Sequence, residues 1–202
     1  GVYNGAWQKT TYGNNGYRTF LKIGGTQFEF NNSGYPITGT LDGVKVDVTF
    51  DYKNGGRTLQ VIYTVTNTTG ADKTFSLASA ADIQIGNMDN APITAIRSSS
   101  VTEGFMMKNT QTGAQFNFFG KNRQYVTNVD NIWFGAYGSY SSHVFDNTTG
   151  TSYNAGDSAA AWSWQDETIK ANETRVYSVL IGIGGAGSEN AASSVSFSPL
   201  DD

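Results

Sequence analysis

Cysteine is absent from this chain, and histidine occurs once, at His143. Without thiols there is no disulfide framework, no thiolate metal site and no cysteine nucleophile. A single imidazole removes most zinc sites and makes any Ser-His-Asp arrangement depend on His143 alone. No serine sits in a Gly-x-Ser-x-Gly elbow. Charge is scarce at 15% of residues, and the net charge of −4 leaves no basic stripe to replace the counterions of a phosphate backbone. Nucleic acid is therefore not an expected partner. No apolar run approaches the length of a membrane span, so membrane insertion is not expected either. There are three prolines, and no apolar stripe is sustained at helical spacing. The chain opens on Gly1 rather than Met, which reads as a piece excised from a longer protein. The lack of a signal peptide then carries no information.

Period-two alternation is what the sequence does have. Val44, Val46, Val48 and Phe50 fall on one side of a strand, with Lys45, Asp47 and Thr49 on the other. Leu59, Val61, Tyr63 and Val65 alternate in the same way after an Asn54-Gly55 turn, a strong hairpin signal. Phe28/Phe30, Phe116/Phe118, Ile132/Phe134, Trp162/Trp164 and Tyr177/Val179/Ile181/Ile183 mark further strands. Thr74 to Ile85 reads as one strand or two, weakest at Ala78–Ala81. Twenty-four glycines fit many turns. The expectation is an all-β, antiparallel β-sandwich of twelve or more strands, built as a single large domain over 1–185. Residues 186–202 are expected to be a flexible tail, a last strand or the start of a following module.

The run Thr58-Leu59-Gln60-Val61-Ile62-Tyr63-Thr64-Val65-Thr66-Asn67-Thr68-Thr69-Gly70 resembles the strand-then-Asn-turn segment of super-sandwich domains. These are large β-sandwiches related to galactose mutarotase and to non-catalytic domains of polysaccharide-acting enzymes. Trp133-Phe134-Gly135, Ser163-Trp164-Gln165 and Val179-Leu180-Ile181-Gly182-Ile183-Gly184 resemble a domain of large modular surface proteins of gut bacteria. The resemblance implies a super-sandwich fold in a modular bacterial protein. Mutarotase chemistry needs a histidine pair and a carboxylate, so the resemblance carries the fold and not the activity.

The segment Asn131 to His143 has the composition of a recognition surface, with rigid aromatics set among Gly and Ser. Strand geometry puts Ile132, Phe134 and Ala136 on the core side and Trp133, Gly135 and Tyr137 on the other. Trp133, Tyr137 and Tyr140 are therefore candidates to stack on sugar rings, with Asn131 and His143 as polar neighbours. Gly135 would leave an open step for a ring. The alternative is that Trp133 and Tyr137 pack under a loop. Trp162 and Trp164 share one strand face and are read as core rather than platform. Trp7 and Tyr12 are further ligand candidates, or else cover a sheet edge.

Oxygen-bearing side chains cluster in two places. Asp82, Asn87, Asp89 and Asn90 surround Gly86; Asp146 and Asp157 flank a second loop. Calcium, if bound, would use Asp89/Asn90 or Asp146/Asp157, and Asp89 and Asn90 could instead bond sugar hydroxyls. Plain turn chemistry explains the same residues. Of the glutamates, Glu29 has the setting of a half-buried group, and nothing pairs the acids for glycosidase work. The four Asn-x-Ser/Thr acceptor patterns are assigned no role.

The resulting expectation is a non-catalytic, extracellular or cell-surface carbohydrate-binding module, monomeric within a larger bacterial chain, with glycan as partner and no cofactor beyond calcium. One alternative is a structural or adhesive ectodomain that binds a host or cell-surface protein. Another is a polysaccharide-acting enzyme with paired carboxylates.

Overall fold

The computed structural model describes residues 16–30, 36–53 and 58–184, together with the backbone of two short strands, Val2–Tyr3 (β1) and Ala6–Trp7 (β2). The Trp7 side chain, Tyr12, the 54–57 turn and the tail 186–202 lie outside the described residues. The remaining strands are Tyr17–Ile23 (β3), Thr26–Glu29 (β4), Ile37–Leu41 (β5), Val44–Lys53 (β6), Thr58–Asn67 (β7) and Lys73–Asp82 (β8). They continue with Ile93–Ser98 (β9), Val101–Lys108 (β10), Gln115–Phe119 (β11), Asn131–Ala136 (β12), Ser152–Tyr153 (β13), Ser158–Ile169 (β14) and Thr174–Gly184 (β15).

Two antiparallel sheets pack face to face. The larger runs β13-β9-β10-β11-β15-β7-β6-β5 and the smaller β12-β14-β8-β3-β4. The all-β sandwich read from the alternation is the fold. In the larger sheet two meanders, β5–β7 and β9–β11, are joined through β15, which pairs with β7 on one side and β11 on the other.

Alternation decides what lies between the sheets. Val44, Val46 and Val48 of β6, Val61, Tyr63 and Val65 of β7, and Phe116 and Phe118 of β11 meet Leu77 of β8, Ile132 and Phe134 of β12, and Trp162 and Trp164 of β14. Both tryptophans are buried, as their spacing suggested. Trp162 stacks on Phe118 with ring centroids 4.5 Å apart and donates its indole N–H to the Tyr63 hydroxyl at 3.1 Å. That hydroxyl also meets Tyr17 Oη at 2.7 Å and Ser79 Oγ at 2.7 Å, so the polar atoms left inside the core bond one another across the two sheets. Asn67, at the end of the segment that carries the resemblance, is fully buried. Its amide N–H groups reach the Ala71, Ile169 and Lys170 carbonyls, and its oxygen accepts from the Thr69 backbone and hydroxyl.

Two local expectations are corrected. Ala78–Ala81 does not interrupt β8, which is the central strand of the smaller sheet. Small side chains are needed there because bulky groups approach from both sides. Glu29 is not half-buried: β4 is an exposed edge strand, and Glu29 pairs with Arg18 at the surface. The buried glutamate is Glu103, 6% exposed, held by Arg123 at 3.1 Å and Asn122 at 2.7 Å.

Candidate functional site

The aromatic segment begins where β12 ends. Tyr137 does not continue the strand; Tyr137–Ser142 forms a 3₁₀ turn. Hydroxyls bend the chain there, with Ser139 Oγ donating to the Ala136 carbonyl at 3.1 Å and Ser142 Oγ to that of Ser139 at 2.9 Å. The turn folds back over the outer face of the smaller sheet. That face presents Phe20, Ala78, Ala80, Ala159 and Ala161, and with Trp133 and Val144 these form a second apolar cluster. Tyr137, Tyr140 and Phe145 pack against it.

Trp133 does leave the main core, as alternation requires, but it is only 7% exposed. Its ring lies over Gly135, where a Cβ would stand 2.7 Å from the indole, so the step expected for a sugar is filled by Trp133 itself. His143 stacks on the indole, centroids 5.0 Å apart and planes within 10°, and Asp146 holds the imidazole Nδ1 at 2.8 Å. The imidazole thus takes the position above Trp133 assigned from sequence to a pyranose. Tyr137 and Tyr140 stack on each other at 5.4 Å, and the Arg18 guanidinium lies 5.9 Å from the Tyr140 centroid. An open platform of Trp133, Tyr137 and Tyr140 is therefore not what the fold makes. Asn131 also spends its amide within the protein, on the Phe145 carbonyl and Asn147.

A cleft of about 620 Å³ opens beside this assembly. Trp133, His143, Tyr153 of β13 and the rim loop Asp146 to Gly150 line it. The rim is fixed to the free edge of β12: Asn147 Oδ1 accepts the Ile132 N–H at 3.1 Å, and the Thr148 N–H donates to the Ile132 carbonyl at 2.8 Å. β13 pairs with β9, so the same loop bridges the two sheets. Of the sequence candidates, Trp133, His143 and Asp146 meet here. Thr148 and Thr149 belong to the oxygen-rich loop read from sequence as a turn or calcium loop, and Tyr153 was missed.

The acidic residues regroup. Asp146 belongs to His143 and does not share a site with Asp157. Asp157 instead meets Asp89 and Asp82, with one carboxylate oxygen from each lying within 4.8 Å of the others. Asp82 ends β8 and Asp157 precedes β14, so antiparallel pairing of these strands brings them together. Asn109 Nδ2 donates to the Ile85 carbonyl at 2.8 Å and steadies the loop that carries Asp89. Asn90 is exposed. Asp82 Oδ1 and Asp89 Oδ1 are buried and accept no hydrogen bond among the described residues. Burial first, then the charges of Asp157 and Asp89, push the Asp82 carboxyl up to about 7, with Arg18 opposing. Asp89 and Asp157 are raised chiefly by burial as well.

Such a group destabilises the fold once ionised. Asp82 takes up its proton more readily folded, near pH 7, than unfolded, at its ordinary value of 3.8. Between those values the native state holds more protons, so stability falls as pH rises. In the presence of chelator the melting temperature is expected to drop from pH 5 to pH 8, and Asp82→Asn is expected to flatten that slope. A melting temperature that rises over the same interval in both proteins would contradict the assignment.

The chain matches no known family model and no curated protein significantly.

Proposed function

We propose that this domain is a non-catalytic carbohydrate-binding module of super-sandwich type, part of an extracellular or cell-surface modular bacterial protein, and that the glycan sits in the cleft between His143 and Tyr153. The observation that carries the reading is the make-up of that cleft. Trp133, His143 and Tyr153 offer aromatic rings, and Thr148, Thr149 and Ser152 offer hydroxyl groups. The site is open and shallow, which suits modest affinity reinforced by neighbouring modules. Paired-carboxylate hydrolysis is disfavoured by the same geometry. The described glutamates Glu29, Glu103, Glu167 and Glu173 are each engaged by an arginine.

A glycan array probed with the folded domain tests this. Tyr153→Ala is expected to weaken the captured glycan by about 1–3 kcal/mol, the range for loss of one stacked ring. Capture of no glycan, with a protein ligand bound instead, would establish the adhesive alternative. Release of reducing ends from a bound polysaccharide would establish the enzymatic one.

Calcium at Asp82, Asp89 and Asp157 forms the second part of the proposal. Calcium takes oxygen ligands at about 2.3–2.6 Å, and one oxygen from each of the three carboxylates lies within 4.8 Å of the others, close enough for one ion to reach all three. The ion would neutralise charges the protein leaves unpaired. At pH 8 calcium at a hundred times its Kd is expected to add about 2.7 kcal/mol of stability. The gain should vanish in Asp157→Asn, and an unchanged melting temperature with calcium or chelator would remove the ion.

A further inference from the structure

A second cleft, of about 340 Å³, lies on the other side of the same rim loop and shares Asn147, Thr148, Thr149 and Gly150 with the first. Its lining includes two cations, Arg97 at the end of β9 and Lys121 after β11. Among the described residues, Arg18, Arg123 and Arg175 each pair with a glutamate, whereas Arg97 has no carboxylate partner. One of its terminal nitrogens donates to the Ser100 carbonyl at 2.7 Å. Lys121 likewise has no ion pair among the described residues, and its ammonium donates to the Asp130 carbonyl at 3.4 Å. The acid in this cleft, Asp130, turns its carboxylate to the Gln165 N–H at 2.7 Å. In a chain of net charge −4, two cations without carboxylate partners line one hydroxyl-bearing cleft.

We infer that the glycan of the proposed site is acidic: one sugar lies between His143 and Tyr153, and an anionic substituent on its neighbour, a carboxylate or a sulfate, is held by Arg97 and Lys121. This rests on the glycan reading of the first cleft. The shared rim loop makes the two clefts one continuous track, with Thr148 and Thr149 reaching either side. The free guanidinium edge of Arg97 presents paired N–H donors that match a carboxylate or sulfate, and Lys121 adds a point charge.

Matched probes separate the charge from the sugar. Oligogalacturonates are compared with their fully methyl-esterified forms, and carrageenan oligosaccharides with their desulfated forms, by calorimetry on the folded domain. In at least one pair the charged member is expected to bind about tenfold or more tighter, the scale of one hydrogen bond to a charged group. That preference should shrink with added salt and disappear in the Arg97→Gln/Lys121→Gln double variant. Binding of the neutral member should survive in that variant, which also shows that it folds. Equal binding of charged and neutral members, or a preference that persists in the double variant, would overturn the acidic assignment and leave the cleft as a neutral-glycan site. Binding of no oligosaccharide by the wild-type domain, with either set of probes or on the array, would overturn both.

Discussion

Trp162→Ala is expected to lower the stability of the domain by about 3–5 kcal/mol, the range for deleting a large buried aromatic. The indole is fully buried, belongs to the smaller sheet, and touches the larger one through Phe118 at 4.5 Å and the Tyr63 hydroxyl at 3.1 Å. Its removal opens a void at the centre of the sandwich that strands fixed on both sides cannot close. Tyr63 keeps its bonds to Tyr17 and Ser79, so the loss is mainly one of packing. Trp162→Phe separates the two contributions. It keeps a ring against Phe118 and deletes the N–H donor, and should cost clearly less than the alanine variant. Urea unfolding measures both, with a midpoint shift at constant slope as the expected pattern. A loss below about 1.5 kcal/mol for Trp162→Ala, the scale of the hydrogen bond alone, would mean that this side chain does not tie the sheets together.

Trp133→Ala is expected to destabilise by about 3 kcal/mol, the low end for a buried tryptophan because its rim faces the cleft. From sequence the same substitution should cost little, since an outward ring leaves no cavity. The fold reverses that expectation: Trp133 sits under His143 and against the alanine face of β8 and β14. Removing it also undermines the wall on which His143 rests, so binding and stability should fall together. Tyr153→Ala is the cleaner probe of ligand contact because Tyr153 is partly buried against the main core and lies outside the Trp133 cluster. A stability loss below about 1 kcal/mol for Trp133→Ala, the size typical of a substitution that opens no cavity, would restore the outward platform.

Alternation revealed which residues share a side of a strand, and that sufficed for the main core. Ile132, Phe134, Trp162 and Trp164 all point where their spacing places them. It could not say whether the opposite side is wet. Trp133 faces away from the core and is still covered, because residues 137–145 return over the sheet, and nothing in their Gly-Ser-Tyr composition distinguishes a lid from a binding loop. The same limit hid the acidic cluster. Asp82 and Asp157 are neighbours only through β8–β14 pairing, so Asp157 was matched with the Asp146 nearby in sequence. Glu103 likewise acquires its burial from Arg123 and Asn122, twenty and nineteen residues away.

The position of β15 has a consequence for how the chain is made. The ribosome releases β5–β7 and β9–β11 as two separate meanders, and each must wait with one open edge, β7 or β11, for a strand that emerges about sixty residues after β11 begins. Until Thr174–Gly184 arrives, the larger sheet exists as two halves with unpaired backbone and half of the apolar face uncovered. The larger sheet therefore closes only once its last strand is made, through the β15 pairings with β7 and β11, which are distant in sequence and correspondingly slow to form. The edges of β7 and β11 carry unpaired backbone for as long as β15 is missing, and are the places where two waiting chains would pair with each other.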